Sequence, residues 1–220
     1  MQIYDISQEV FSCAVYPGDP SPERKWMLRM DDGAVCNLTA ISMCAHNGTH
    51  VDAPFHFINE GRKIDEVDMQ RWIGYAYVAE HEGVLTAADA ERILAAAEDA
   101  ENEVNEAAAV NAPVAANAAA PVSPCDASRR ILVKGAAVMS EEAARVFADR
   151  GTLLFGNESQ TVGPEDAPMA VHKIMLGAQV VLLEGIRLAA VPEGVYLLHA
   201  APINLGGADG APCRATLLKF

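Results

Sequence analysis

Three of the six histidines of this 220-residue chain lie within the segment HNGTHVDAPFH, which runs from His46 to His56 and also contains an aspartate. Imidazole nitrogens and carboxylate oxygens are the ligands that proteins use for Zn²⁺, Mn²⁺ and Fe²⁺. A lone histidine is usually an ordinary core or surface residue with its own hydrogen bonds. A cluster of this density instead raises the question of a shared metal ion.

The local sequence determines how these side chains are presented. His46 and His50 are four residues apart, as on one face of a helix, but Gly48 and Pro54 disfavour a helix. In an extended segment alternate side chains share a face. Four ligand-type residues then lie on the same side: His46, His50, Asp52 and His56. Because burying them together is costly without a common partner, we predict a divalent metal site on one extended segment, with Zn²⁺ as the best fit and Mn²⁺ or Fe²⁺ as alternatives.

Composition limits the classes of partner and compartment. The chain is 51% hydrophobic and 6% aromatic, and its formal net charge is −14. A surface this acidic repels nucleic acid and anionic lipid, so we expect neither as a partner. The five cysteines are odd in number and scattered, without a CxxC pair, as is typical of free thiols in a reducing compartment. With no signal-peptide pattern at the start and no apolar run of membrane-spanning length, we expect a cytoplasmic protein.

The rest of the chain mixes strand and helix patterns. Strands are predicted in residues 2–10, 25–30, 36–45, 73–80, 129–135, 152–157, 179–186, 194–203 and 213–220. A helix is predicted to begin after Thr86 as N-cap, a second after Ser140, and a short third to end at Gly177. Many strands with two or three helices indicate an α/β or α+β domain with a mixed sheet.

The stretch from Asn102 to Arg129 differs from its surroundings in composition. It is Ala-rich, is interrupted by Pro and Asn, and has almost no periodicity. Long stretches of this kind are usually functional or disordered. We interpret it as a poorly ordered insertion in a single domain spanning residues 1–220, with a lid or an oligomer arm as the alternative.

The histidine segment also carries a family resemblance. The pattern H-x-G-T-H-x-D-x-P-x-H resembles the signature of the cyclase-like metal-dependent hydrolases, which include bacterial kynurenine formamidases and isatin hydrolases. Other stretches are similar to the same family: VYPGDP near the start, NEGRKIDEVDMQRWIG after the cluster, VHKIMLGAQVVLLEGIRL, and APINLGGADGAPCRATLL near the end. The resemblance covers most of the chain except about residues 95–129. It implies a mixed-sheet α/β core of the swivelling β/β/α type with a few flanking helices.

The resemblance also implies roles for individual residues. His46, His50 and Asp52 would bind a first ion, His172 a second, and Asp52 and Glu184 would touch both. Taken alone, His172 in an apolar helix and Glu184 at a strand end are equally consistent with structural roles. His56 would be the proton donor and acceptor. Tyr16 occupies a substrate-contact position where similar formamidases carry Trp.

The implied reaction is hydrolysis of an amide or cyclic amide. In the chemistry that the resemblance implies, bound metal would supply hydroxide to attack the carbonyl, and His56 would protonate the departing nitrogen. The leading specific case is an arylformamidase that converts N-formylkynurenine to kynurenine and formate, a step of tryptophan catabolism. The alternatives are an isatin-hydrolase-like lactam hydrolase, a related cyclase or lyase, and a non-catalytic metal-stabilised domain that binds a small molecule. The resemblance further suggests a homo-oligomer, either a dimer or a tetramer.

Overall fold

A computed structural model describes residues 1–110 and 124–220. Its main feature is a mixed sheet of nine strands: β1 (Gln2–Asp5), β4 (His50–Asp52), β5 (Ile73–Glu80), β7 (Arg130–Lys134), β9 (Leu154–Asn157), β10 (Val181–Glu184), β11 (Gly194–His199), β12 (Gly210–Pro212) and β13 (Thr216–Lys219). In the sheet they lie side by side in the order β1-β13-β11-β5-β7-β9-β10-β4-β12. The central strands β5, β7, β9 and β10 run parallel, and the flanking strands are antiparallel.

Alternation along the central strands produces a core on each face of the sheet. In β5, Tyr77 and Ala79 join one apolar cluster, whereas Ala76 and Val78 join the other. Successive side chains of a strand point to opposite faces, and because both faces are covered these strands read as continuous apolar runs.

Three α-helices in the described residues pack in a row against one face: α1 (Ala87–Val110), α2 (Glu141–Asp149) and α3 (Met169–Gly177). Each begins or ends largely as its sequence predicts. The Thr86 hydroxyl accepts a hydrogen bond from Asp89 N, Ser140 Oγ accepts one from Ala143 N, and α3 ends at Gly177. The predicted mixed-sheet α/β architecture is confirmed.

Three short strands were not predicted from the sequence. They are β12 and the parallel pair β6 (Gly83–Leu85) and β8 (Ala137–Met139). Each has only three residues, which is too short to give a clear alternating pattern.

A two-stranded hairpin forms a separate small sheet. Its strands are β2 (Glu23–Leu28) and β3 (Leu38–Ser42), and both were predicted from the sequence. All the residues of both strands are exposed. Trp26, Met27 and Ile41 are 45%, 50% and 58% exposed, so large apolar side chains of this hairpin face solvent.

The predicted insertion over residues 102–129 begins inside a helix. Helix α1 continues to Val110 because Ala and Glu are strong helix formers. At the other end, Cys125 and Ala127 are buried, and Asn105 holds Cys125 by two hydrogen bonds. The intervening residues 111–123 lie outside the described residues.

Across the parts of the chain that the structure describes, no helix has both the length and the apolar character needed to cross a membrane.

Candidate metal centre

Two neighbouring strands present the central carboxylates and one imidazole on the same face of the sheet. In the antiparallel pair β4–β10, His50 lies opposite Glu184. Val51 and Leu183 point into the core of the far face, so His50, Asp52 and Glu184 must point to the helix-covered face. All three are buried.

Helix α3 lies against this face and supplies a second buried imidazole. His172 Nδ1 donates to the backbone carbonyl of Pro168 at 2.8 Å. Its Nε2 is thereby directed at the carboxylates, 3.3 Å from Glu184 Oε1 and 3.7 Å from Asp52 Oδ2. A backbone carbonyl that fixes the far nitrogen of an imidazole is typical of metal-ligating histidines.

His50 has the same arrangement on the other side. Its Nδ1 donates to the Gly48 carbonyl at 3.0 Å, and its Nε2 lies 3.3 Å from Glu184 Oε2 and 3.5 Å from Asp52 Oδ1. The two oxygens of each carboxylate therefore face different imidazoles. We call His50, Asp52, His172 and Glu184 the inner cluster.

Two atoms of the inner cluster lack the partners that burial demands. His50 Nε2 and Asp52 Oδ2 are inaccessible to solvent and make no well-aligned hydrogen bond to a described residue. A buried acceptor left unpaired costs free energy, and a divalent cation would satisfy both. Two groups of three ligand atoms, each group within 4.8 Å, share Asp52: His46, His50 and Asp52 form one, and Asp52, His172 and Glu184 the other. The donor set fits a metal centre.

His46 and His56 reach the site by turns, so the prediction of one extended segment is wrong beyond His50–Asp52. His46 lies in a turn that includes Gly48 at φ +67°, a left-handed conformation that glycine adopts easily. His56 ends a 3₁₀ turn, Pro54–His56, that opens at the proline. The four predicted side chains nevertheless converge. They do so because turns, and not strand alternation alone, bring His46 and His56 to the site.

A second carboxylate, Asp209, joins these two imidazoles. His46 Nδ1 lies 2.9 Å from Asp52 Oδ1, and its Nε2 lies 2.9 Å from Asp209 Oδ2. The same Oδ2 lies 3.0 Å from His56 Nδ1, and the His46 and His56 rings stack at 4.1 Å between centroids. We call His46, His56 and Asp209 the outer cluster.

Asp209 was missed by the sequence analysis. It lies in the stretch GADGAP, which resembles the family's ending, but no neighbouring ligand-type residue marks it. The signal that the sequence offered was a carboxylate next to a glycine. The structure explains that glycine, because an added Cβ at Gly210 would lie 2.6 Å from His46 Cε1.

The electrostatics of the cluster favour a bound cation. Burial disfavours the charged form of His46, but the carboxylates of Asp52 and Asp209 outweigh it and raise its pKa to about 11. Burial acts likewise on His50 and His172, and the carboxylate of Glu184 raises the pKa of both. The imidazoles in turn hold the pKa of Asp52 and Asp209 below the ordinary range, although burial opposes this at Asp52. Protons balance the carboxylates when no cation is bound, and metal binding would displace them.

A cavity of about 240 Å³ opens onto both clusters. Its floor consists of His46, His50, His56, His172 and Glu184, and its walls include Tyr16, Phe57, Gln160 and Pro168. Tyr16 is partly buried, and its hydroxyl donates to the Glu165 carbonyl at 2.7 Å. Six of the seven residues predicted for the site thus line one cavity, and the seventh, Asp52, is hydrogen-bonded to one of them, His46.

Comparison with known proteins gives consistent matches over the whole chain. The family model Cyclase, described as "Putative cyclase", matches residues 4–164. A kynurenine formamidase of Salinibacter ruber is 31% identical over 99% of this chain and 97% of its own length. That of Erythrobacter litoralis is 30% identical over 100% and 94%.

Solved structures share the fold. A potential metal-dependent hydrolase with cyclase activity has a TM-score of 0.72 at 23% identity, covering 98% of this chain and 96% of that one. An isatin hydrolase A from Labrenzia aggregata also has a TM-score of 0.72, at 19% identity, covering 98% and 93%.

Proposed function

Because this chain belongs to the cyclase family, whose relatives are enzymes that hydrolyse C–N bonds other than peptide bonds, we propose that it is an arylformamidase. Its reaction would be the hydrolysis of N-formylkynurenine to kynurenine and formate. The observation that carries the proposal is the pair of ligand groups sharing Asp52, with one further imidazole, that of His56, beside them at the cavity.

The arrangement of oxygens supports two metal ions. Asp52 Oδ1 and Glu184 Oε2 face His50, while Asp52 Oδ2 and Glu184 Oε1 face His172. The first ion would be held on the His46 and His50 side and the second on the His172 side. Imidazole and carboxylate ligands favour Zn²⁺, and Mn²⁺ or Fe²⁺ remain alternatives.

Bound divalent cations would polarise the substrate carbonyl and lower the pKa of a water molecule. His56 is placed to handle the proton. Its Nδ1 is taken by Asp209, whereas its Nε2 makes no hydrogen bond to a described residue and its ring lines the cavity. A neutral His56 accepts a proton from the water at Nε2 and returns it to the departing nitrogen.

The cavity walls support a small aryl substrate. A volume of about 240 Å³ lies below the range of typical drug-sized pockets. Tyr16 and Phe57 are aromatic groups on the wall of this cavity, and aromatic pairs of this kind stabilise a bound ring by stacking or edge contacts.

The test is hydrolysis by the purified full chain, reconstituted in turn with Zn²⁺, Mn²⁺ and Fe²⁺. Formate release from N-formylkynurenine is compared with ring opening of isatin, and metal content is measured on the same samples. We expect formate release that depends on metal. Preferential ring opening of isatin, or equal inactivity on both substrates with the metal fully bound, contradicts the proposal.

We also propose that the chain is a homo-oligomer, and the β2–β3 hairpin supports this. A two-stranded ribbon is marginally stable alone in water, and exposed apolar patches mark interfaces. Analytical ultracentrifugation of Ile41→Lys should show dissociation, and Val84→Lys, at a remote exposed residue, should not. A monomeric wild-type chain at micromolar concentration overturns this proposal.

The five free cysteines support a reducing compartment such as the cytoplasm.

A further inference from the structure

Asp209 joins the two imidazoles of the outer cluster through a single carboxylate oxygen. Asp209 Oδ2 lies 2.9 Å from His46 Nε2 and 3.0 Å from His56 Nδ1. An ionised carboxylate can only accept hydrogen bonds. Both facing ring nitrogens must therefore carry a proton: His46 as Nε2–H and His56 as Nδ1–H.

The backbone around Asp209 is fixed from both sides. Its carbonyl accepts from Ala53 N at 2.9 Å, and the preceding Ala208 carbonyl accepts from Ile64 N at 2.9 Å. The next residue, Gly210, pairs with Asp52 in the β12–β4 register. The backbone of Asp209 is therefore fixed beside the strand that carries His50 and Asp52, although the Asp209 side chain is 41% exposed.

We infer that Asp209 is a positioning residue for proton transfer by His56. Its hydrogen bond fixes the tautomer of the neutral ring, so that Nδ1 carries the hydrogen and Nε2 carries the lone pair. The hydrogen bond that one ring nitrogen makes determines which nitrogen is protonated. The inference rests on the proposed function for its catalytic consequence.

The same bond orients the ring. The His56 ring lies between His46, stacked at 4.1 Å, and Phe57, edge-on at 4.5 Å. These contacts restrict tilt, but they do not distinguish the two ring nitrogens, which exchange places when the ring flips. Only the hydrogen bond to Asp209 makes that distinction among the described residues. Without it, either nitrogen of His56 can face the cavity in either tautomer.

Asp209 also links proton transfer to metal binding. A carboxylate that accepts from the far nitrogen of a ligating imidazole raises metal affinity, and losing one typically costs about 10–100-fold. Asp209→Ala should thus weaken binding on the His46 side. Its kinetics must therefore be measured at saturating metal, with metal content determined in parallel.

The first experiment reads the tautomer directly and needs no substrate. Imidazole ¹⁵N NMR on the full chain loaded with Zn²⁺, which is diamagnetic, should show His56 protonated at Nδ1, and His56→Gln assigns the signals. In Asp209→Ala the proton should move to Nε2 in a substantial fraction of molecules. An unchanged His56 tautomer in Asp209→Ala overturns the inference, whatever the substrate proves to be.

The second experiment uses aryl formamides whose leaving amines differ in acidity. In Asp209→Ala, kcat should fall by about 10²-fold or more for the poorest leaving group, within the range of general acid catalysis. The fall should be small for a nitro-activated anilide, which needs little protonation, and KM should change less than kcat. An equal fall across the series indicates a merely structural role and contradicts the inference.

Two comparisons complete the test. If Asp209 acts through His56, the double variant His56→Ala/Asp209→Ala should be no slower than His56→Ala alone. Asp65→Ala removes the carboxylate that accepts from Gly207 N in the same loop at 2.9 Å, without touching an imidazole. It should keep kcat and the His56 tautomer. Additive losses in the double variant, or an Asp65→Ala loss matching that of Asp209→Ala, count against the inference.

Discussion

The inner and outer clusters differ in burial, and this difference fits the two chemical tasks proposed for them, metal binding and proton transfer. In the inner cluster, the side chains of His50, Asp52, His172 and Glu184 are 1–3% exposed. In the outer cluster, those of His46, His56 and Asp209 are 13%, 25% and 41% exposed. A buried group of ligands suits a charge that stays in place, whereas a proton-transfer group must reach water and substrate.

The pattern of hydrogen bonds follows the same division. The inner imidazoles are fixed by backbone carbonyls and leave atoms unsatisfied, as His50 Nε2 shows. The outer imidazoles are bound to carboxylates. The nitrogen left without a hydrogen bond to a described residue, His56 Nε2, belongs to a ring that lines the cavity. We expect substitutions in the inner cluster to lose metal and substitution of His56 in the outer cluster to lose turnover. His46 belongs to the outer cluster but also to the ligand group of His50 and Asp52, so its loss should weaken metal binding.

The largest effect is expected in the inner cluster. Asp52→Ala removes a carboxylate shared by both ligand groups, and His50→Ala removes a buried imidazole. Either should weaken metal binding beyond the roughly 10–100-fold typical of losing an outer-sphere partner, and activity should fall to background. Metal analysis and formate release measure the two losses. Asp31→Ala, at an 80% exposed side chain, is the control. An Asp52→Ala protein that keeps the metal content of the wild-type chain would remove the distinction between the clusters.

The next effect belongs to the outer cluster. His56→Ala should keep its metal while kcat falls by about 10²–10⁴-fold, as expected when a general acid–base is lost. Stopped assays with parallel metal analysis test this, and His81→Ala, at a histidine bonded to the Val84 carbonyl, is the matched control. Release of metal from His56→Ala would make His56 a ligand and assign the outer cluster to metal binding.

The fold was largely predictable from local patterns, but the shape of the site was not. Strand β5 was predicted with its observed bounds because apolar residues and Gly mark it clearly, and α2 because Ser140 and the following glutamates mark its start. The extended reading of His46–His56 was wrong because it ignored the turns at Gly48 and Pro54.

Long-range pairings explain what could not be derived from the residues alone. Glu184 meets His50 across 134 positions of sequence because β10 pairs with β4, and no local pattern reveals that register. His172 and Glu184 were assigned only through the family resemblance, and Asp209 was not assigned at all. Such contacts depend on which strands become neighbours, which local propensity does not determine.

A smaller effect concerns the pH dependence of stability in the metal-free chain. The raised pKa values of His46, His50 and His172 mean that the folded chain binds protons that the unfolded chain releases. This stabilisation is complete below the ordinary pKa of 6.5 and is lost as pH rises toward about 11, the pKa of His46. Each such proton contributes a slope of about 1.4 kcal/mol per pH unit.

Urea unfolding with a chelator present, between pH 6.5 and 9.5, should therefore show a falling free energy of unfolding. With Zn²⁺ bound, the ligands have already released their protons, and the fall should disappear. His46→Gln should reduce the slope of the metal-free chain. If the free energy of unfolding of the metal-free chain did not change with pH, the imidazoles would not hold the extra protons that their raised pKa values require.

The smallest effect is expected at Tyr16, on the wall of the cavity. Tyr16→Phe removes one hydrogen bond, from the hydroxyl to the Glu165 carbonyl, and keeps the ring. A neutral hydrogen bond contributes about 1 kcal/mol to the stability of a fold. Because this bond holds the ring and not the substrate, KM should rise by at most about fivefold with kcat unchanged. Tyr196→Phe removes a matching bond to the Pro192 carbonyl on the far side of the sheet and should leave KM unaltered. If Tyr16→Phe lowered kcat instead, Tyr16 would take part in catalysis. The expected decrease in effect from the inner cluster through the outer cluster to the cavity wall would then be wrong.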